Sequence, residues 1–284
     1  MLPPNVLLDP LIVGWLQEDI GRGDRTTLGL GAAMGDRAGK AVWVAKAQGV
    51  IAGLPVAQRV FQKLCDQTNL NPSVTEGTVC EAGTVIAKIE GPLWSLLTGE
   101  RVALNVAMHL SGIATLTQRY VDKIADMPAQ LVDTRKTTPG LRSLEKYATW
   151  IGGAVNHRMG LDDGVMIKDN HIAAAGGIQA AIERIRVQLP YPLSIEVETE
   201  NLDMVRNALN ADADIIMLDN MRPALMQEAV ALIRQTHSHV KIEASGNVTL
   251  ETIRSVAATG VDYISTSAPI TQASWLDLSM RLQE

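Results

Sequence analysis

Only two cysteines, Cys65 and Cys80, occur in 284 residues. They are too few for a disulfide framework and sit at no metal-ligand spacing, so both read as reduced structural thiols. Basic residues are not in excess: 25 Lys and Arg against 31 Asp and Glu give a formal net charge of −6. A general nucleic-acid or membrane-surface binder needs a basic face, so those classes are disfavoured, while a basic pocket for small anions is still allowed. No apolar run approaches the ~20 residues of a membrane-spanning helix. The N-terminal stretch has no basic n-region and meets Asp9 and Pro10 early, unlike a secretory leader, and a cytoplasmic protein is expected. Nor does any GxGxxG follow an apolar run, which removes the main support for a dinucleotide-binding sheet.

What is present supports a large core: 46% apolar and 20% charged residues, a balance that excludes wholesale disorder. The length exceeds the roughly 100–200 residues of one domain, so two domains, or one elaborated barrel, are expected. The character of the chain changes near residue 100. Before it, KAVWVAKAQGVIAG (40–53) and TVCEAGTVIAKIEG (78–91) read as hairpins turning at Gln48-Gly49 and Ala82-Gly83. Between them PVAQRVFQKLCDQT (55–68) reads as a helix opened by Pro55. A small α+β domain is implied. Residues 100–125 carry Val102, Val106, Leu110, Ile113, Leu116, Tyr120 and Ile124 at helical spacing, as one long helix or two broken near Ser111-Gly112.

After it comes a rhythm. Short apolar runs end in polar residues, and helical patterns follow at roughly 20–35-residue intervals, the signature of parallel βα units. The runs end at Asp133, Lys168, Glu198, Asp219, Ser245 and near Thr266. Helical patterns occupy 177–189, 201–209, 223–236 and 249–258. About six such units suit a barrel, whose active site lies at the C-terminal strand ends.

The chemistry-bearing residues cluster at those ends. Thr134, Arg135 and Lys136 follow the first run and Lys168 follows the second. A cation at the end of a buried strand is costly unless an anion meets it, and Arg offers a planar fork to carboxylate or phosphate. Glu198 and Asp219 could hold Mg2+, ribose hydroxyls, or both. Ser245-Gly246-Asn247 and Thr266-Ser267-Ala268 are small enough to let backbone N–H groups and hydroxyls cradle a phosphate, and late barrel loops are a frequent phosphate site. The pattern suits a phosphorylated sugar plus a second anionic substrate.

DTRKTTPGLR (133–142), GGAVNHRMGLDDGVMIKDNH (152–171), IEVET (195–199), IMLDNM (216–221) and EASGN (243–247) together resemble quinolinate phosphoribosyltransferases. The likeness extends to EDIGRGDRTT (18–27), LLTGERVALNVAMHLSGIATLT (96–117) and GVDYISTSAPIT (260–271) and covers nearly the whole chain in order. It implies an N-terminal open α/β sandwich over residues 1–112 and an incomplete TIM-like (β/α) barrel over 113–284, with a C-terminal helix packing back on the first domain. It also implies a homodimer with a shared active site, and transfer of phosphoribosyl from phosphoribosyl pyrophosphate to quinolinate with Mg2+. The products would be nicotinate mononucleotide, pyrophosphate and CO2. By the same resemblance Arg135, His157, Arg158 and Lys168 bind the quinolinate carboxylates, with Arg101 reaching in from the partner subunit. Lys136 meets the pyrophosphate or phosphoribosyl group, Thr134 lies beside it, and Glu198 and Asp219 stand near ribose and metal. Ser245, Gly246, Asn247, Thr266, Ser267 and Ala268 hold phosphate. Lys136, Glu198 and Asp219 are the expected catalytic groups. Three other readings compete: a nicotinate enzyme, a paralogue tied to metal-oxyanion transport, and a non-catalytic phosphosugar-binding barrel. The full set of cations and acids favours the diacid enzyme over each.

Overall fold

The computed structural model describes residues 2–31 and 37–283. In chain order the elements are α1 (Asn5–Ile20), α2 (Arg25–Leu30), β1 (Ala38–Ala45), β2 (Gly49–Val50), α3 (Leu54–Leu64), β3 (Asn69–Pro72), β4 (Val79–Cys80), β5 (Val85–Pro92) and α4 (Leu93–Asp122). They continue with β6 (Gln130–Val132), α5 (Arg142–Ile151), β7 (Val165–Ile167), α6 (Asp169–Ala175), α7 (Ile178–Arg186), β8 (Ile195–Thr199), α8 (Leu202–Asn210) and β9 (Ile215–Asp219). The last are α9 (Pro223–Thr236), β10 (Lys241–Ser245), α10 (Ile253–Ala257), β11 (Tyr263–Ser265), α11 (Ala268–Thr271) and β12 (Leu278–Gln283). They form two compact units. One holds the chain to Gln118, Thr138–Gly153 and the residues from Gln272 onward; the other holds Arg119–Thr137 and Ala154–Thr271.

The first unit is built on an antiparallel sheet in the order β12-β1-β5-β3. Trp43 and Phe61 meet edge to face at 6.3 Å in its core, an arrangement that suits the ring quadrupoles. The α3 helix starts where expected because Pro55 fits a first turn, and the Glu76 carboxylate accepts the N–H groups of Gly53 and Leu54 at 2.7 and 2.9 Å. The two expected hairpins are replaced by other pairings. The chain bends at 46–48 and turns at Ala82-Gly83, but β1 pairs with β5 and β12, and β2 pairs with β4. The two-residue strands are too short to hold the long ones, and β5 offers a full register to β1. The expected C-terminal helix is instead the strand β12. Leu278, Met280 and Leu282 recur with the period of a strand, and the open edge of β1 takes up their backbone.

Helix α4 runs unbroken through Ser111 and Gly112. These two residues mark close packing. The Ser111 hydroxyl donates to Ala52 O and accepts from Ala52 N. A Cβ on Gly112 would lie 2.1 Å from Ser274 O, where the chain returns to the first unit.

The second unit has six parallel strands in the order β6-β11-β10-β9-β8-β7. The last strand pairs with the first, and the seam lies between β6 and β7, between which the chain supplies residues 138–153 to the other unit. This is the incomplete barrel the rhythm of the sequence implies, with α7, α8, α9 and α10 between successive strands. The α10 helix begins later than the pattern over 249–258 suggests. Thr252 Oγ1 accepts the Thr249 N–H at 2.9 Å, a side-chain bond that competes with helical pairing. Among the described residues no helix is long and apolar enough to cross a membrane.

Candidate active site

Because the six strands are parallel, their C-terminal ends share one rim. Asp133, Thr134, Arg135 and Lys136 follow β6, and Lys168 follows β7. Glu198 is the penultimate residue of β8, and Asp219 ends β9. Ser245 ends β10, with Gly246 and Asn247 after it, and Thr266, Ser267 and Ala268 follow β11. His157 and Arg158 come just after Val155, which bridges in parallel to Val132 beside β6. Arg101 lies outside this set: it is exposed on α4, in the first unit.

The cationic side is built around Asp133, whose exposure is 3%. Its carboxylate accepts Asn156 Nδ2 at 2.7 Å and the His157 N–H at 2.9 Å, so a buried charge fixes the loop that carries His157 and Arg158. Arg158 donates from Nη1 to Gly164 O at 2.7 Å. Its guanidinium is half-buried, and burial together with the nearby Arg135 charge holds its pKa below the usual arginine value. The Arg135 Nε is buried with no hydrogen-bond partner among the described residues. Two like charges held together, one with an orphaned donor, are unfavourable until an anion meets them. Lys168, expected beside a different ligand from Glu198, forms an ion pair with it. His171 occupies the first turn of α6, where its Nδ1 accepts the Lys168 N–H at 3.0 Å.

The same rim carries the loops after β9, β10 and β11. Asn220 and Asn247 adopt left-handed backbone at φ +53° and +50°, and Gly246 at +100°. A Cβ on Gly246 would lie 2.2 Å from Asn220 Oδ1 and 2.8 Å from its backbone nitrogen, so the two loops approach closely only because residue 246 is glycine. Asn220 N donates to Ser245 O at 2.9 Å, and Asn220 Nδ2 donates to Asp219 Oδ2 at 2.6 Å. Thr266 Oγ1 donates to Val248 O at 3.1 Å and accepts the Ala268 N–H at 3.3 Å.

Two residues of the site were not singled out in the sequence. Glu196 and Glu243 are only 3% and 4% exposed, and their carboxylates stand 3.3 and 3.5 Å from His157 Nε2. Burial, with Glu196 beside it, pushes the Glu243 carboxyl up to about 7, against the pull of His157, Ser265 and Lys168. The signal was there: glutamate inside an otherwise apolar strand run, in IEVE and in KIEA. Ligand atoms of His157, Glu196 and Glu243 lie within 4.8 Å of one another, a spacing that could suit a metal. The Arg158 N–H donates to His157 Nδ1 at 2.7 Å, however, so Nε2 carries the ring hydrogen and offers a metal no lone pair. Glu198 and Asp219, by contrast, present hard carboxylate oxygens from neighbouring strands of the rim. A separate cavity of about 380 Å3, lined by Trp15, His109 and Trp275 among others, belongs to the first unit and includes none of these rim residues.

Fold and rim together define a class: an incomplete (β/α) barrel whose mouth sets cations against carboxylates and a close-packed loop cluster. Comparison with known proteins narrows it. Residues 24–111 match the N-terminal domain, and residues 113–281 the C-terminal domain, of the quinolinate phosphoribosyl transferase family. The chain is 58% identical to a probable nicotinate-nucleotide pyrophosphorylase (carboxylating) of Synechocystis, covering 99% of this chain and 94% of that one. It is 42% identical to the corresponding Bacillus subtilis protein, covering 97% and 93%. Among solved structures, the nicotinate-nucleotide pyrophosphorylase from Francisella tularensis superposes with a TM-score of 0.92 at 36% identity, covering 99% of this chain and 98% of that one. The chain belongs to the quinolinate phosphoribosyltransferase family.

Proposed function

We propose that this protein transfers phosphoribosyl from phosphoribosyl pyrophosphate to quinolinate and decarboxylates the product, giving nicotinate mononucleotide, pyrophosphate and CO2 for de novo NAD synthesis. One observation carries the substrate class: the half-buried Arg135 and Arg158 held beside each other, with the Arg135 Nε unpartnered. That arrangement asks for a ligand with more than one negative group, as quinolinate has.

In this reading Arg135, His157, Arg158 and Lys168 form the quinolinate seat, and Thr134 and Lys136 meet the phosphoribosyl donor. Ser245, Gly246, Asn247, Thr266, Ser267 and Ala268 hold its 5′-phosphate through backbone N–H groups and hydroxyls. The C1–O bond of the donor breaks, its electron pair leaving with pyrophosphate. The ring nitrogen of quinolinate supplies the new pair to C1. Lys136 stabilises the leaving charge, and Glu198 and Asp219 stabilise positive charge building on the ribose. The adjacent carboxylate then departs as CO2. Its electron pair remains on the ring carbon, is stabilised by the pyridinium, and takes up a proton. Most of the enzyme's work is holding two polyanions in register. Glu198 and Asp219 also fit Mg2+, which takes one or two carboxylates together with substrate phosphates; when bound, the ion neutralises charge on the pyrophosphate.

The same reading makes the protein a cytoplasmic homodimer in which the partner copy's Arg101 completes the site. The exposure of Arg101 on α4, outside the unit that carries the rim, supports this. Calorimetry tests the substrate class. Quinolinate should bind at least about tenfold more tightly than nicotinate, a difference of ~1.4 kcal/mol, and Arg135→Ala should abolish the preference. Equal binding of the two acids would sink the diacid reading and favour the nicotinate enzyme.

A further inference from the structure

Two buried glutamates beside His157, Glu196 and Glu243, have no part in the proposed chemistry. His157 is engaged at both ring nitrogens by the protein itself: Nδ1 accepts the Arg158 backbone N–H at 2.7 Å, and Nε2 faces Glu196 and Glu243 at 3.3 and 3.5 Å. The two glutamates come from β8 and β10, which both pair with β9 and flank it in the sheet. Both are more than nine-tenths buried, and on each one carboxylate oxygen, Oε1, has no hydrogen-bond partner among the described residues. Burying two carboxylates side by side is costly, and a fold that needed only a core there would place apolar residues. Glu196 also lies close enough to Arg158 to favour its charged form.

We propose that Glu196 and Glu243 are positioning residues of the quinolinate seat: they hold the His157 ring by its Nε2–H, so that Nδ1 takes the Arg158 N–H and sets where the Arg158 guanidinium is presented. This rests on the quinolinate reading above. It gives His157 a part within that seat, as a strut under Arg158. Asp133 completes the strut from the other side by accepting the His157 N–H and the Asn156 amide. Arg158 in turn is the group that touches substrate. A neutral amide at 196 or 243 keeps an oxygen able to accept from Nε2–H, whereas alanine removes it.

The test compares Glu196→Ala and Glu243→Ala with Glu196→Gln and Glu243→Gln in the full-length protein. Each alanine variant should raise the quinolinate KM about tenfold or more, the loss expected when a hydrogen bond orienting a ligating group is removed, while the KM for phosphoribosyl pyrophosphate stays near wild type. The glutamine variants should recover most of the quinolinate KM. A purely structural role would instead lower the folded fraction and leave both KM values of the folded enzyme alike. Independently, 15N NMR of histidine-labelled protein, with the His157 signal assigned by its loss in His157→Gln, should show ring hydrogen on Nε2 and none on Nδ1. That readout needs no substrate, so it decides the strut even if quinolinate is not turned over or the alanine variants fail to fold. A wild-type quinolinate KM in folded alanine variants, or a hydrogen on Nδ1, overturns the proposal. Failure of the wild-type enzyme to use quinolinate overturns the function and leaves the NMR result to judge the strut.

Discussion

At the scale of single residues, charge decides more than size. Arg135 and Lys136 could be recognised from sequence because cations directly after an apolar run are anomalous. Lys136→Ala and Glu198→Ala should each lower turnover at least about a hundredfold, roughly 2.7 kcal/mol of transition-state stabilisation, with thermal unfolding little changed. Steady-state rates beside melting curves check this, and near-normal turnover in both would remove the assignment. Glu243 offers a second prediction. Its folded carboxyl titrates at about 7 against an ordinary 4.5, so the native state holds that proton more tightly than the unfolded chain. Its contribution to stability is full below 4.5 and is lost as pH rises through 7. Glu243→Gln cannot ionise, so it should gain on wild type in melting temperature between pH 5 and pH 8; a pH-independent difference would contradict the assigned shift. A glutamate inside an apolar run marks Glu196 and Glu243 as unusual, but the sequence gives no sign of what lies across the sheet from them. Only the fold brings β8, β10 and the His157 loop together.

At the scale of elements, period and composition placed all six parallel strands, because each is a short apolar run capped by polar residues. Pairing in the first unit was less legible. The turns at Gln48-Gly49 and Ala82-Gly83 look like hairpin turns locally, but β1 finds a better partner in β5, forty residues on, than in its neighbour. Ser111-Gly112 leaves one helix or two open in the sequence for a similar reason, and the structure has one. Glycine usually weakens a helix, yet here it makes room for the returning chain at Ser274. Gly112→Ala therefore sets two effects against each other: a helix-propensity gain of about 1 kcal/mol and overpacking against a backbone carbonyl, which costs about 1–3 kcal/mol or more. Overpacking should win, and chemical denaturation should show a net loss of stability; a stabilised variant would mean that the returning segment can move aside. At Gly246 the strain of positive φ adds to the clash with Asn220, and Gly246→Ala should weaken phosphoribosyl pyrophosphate binding with little effect on quinolinate.

At the scale of the whole molecule, the chain is interleaved. Residues 138–153 leave the barrel at its seam and 272–283 return to the other unit, where β12 covers the edge of β1. No composition signal marks these excursions, so a sequence divided at one point could not show them. Removing residues 272–284 should expose that edge and the core around the buried Leu276 and Leu278, giving aggregation and a lower melting temperature by light scattering and calorimetry; a soluble, fully stable truncation would contradict it. The proposed shared site makes a further prediction at this scale. Inactive Arg101→Ala and Lys168→Ala chains, unfolded and refolded together, should recover part of the wild-type activity in mixed dimers, and no recovery would argue that each chain acts with its own Arg101.

The central claim is the reaction itself, and the most direct measurement follows its carbon. Purified protein with Mg2+, phosphoribosyl pyrophosphate and quinolinate labelled in the 2-carboxylate should release labelled CO2 and nicotinate mononucleotide in equal amounts, and a parallel reaction with nicotinate should give no nucleotide. Equal release of CO2 and nucleotide from quinolinate alone is the result this account predicts. Nucleotide from nicotinate, or neither product from folded protein, would contradict it.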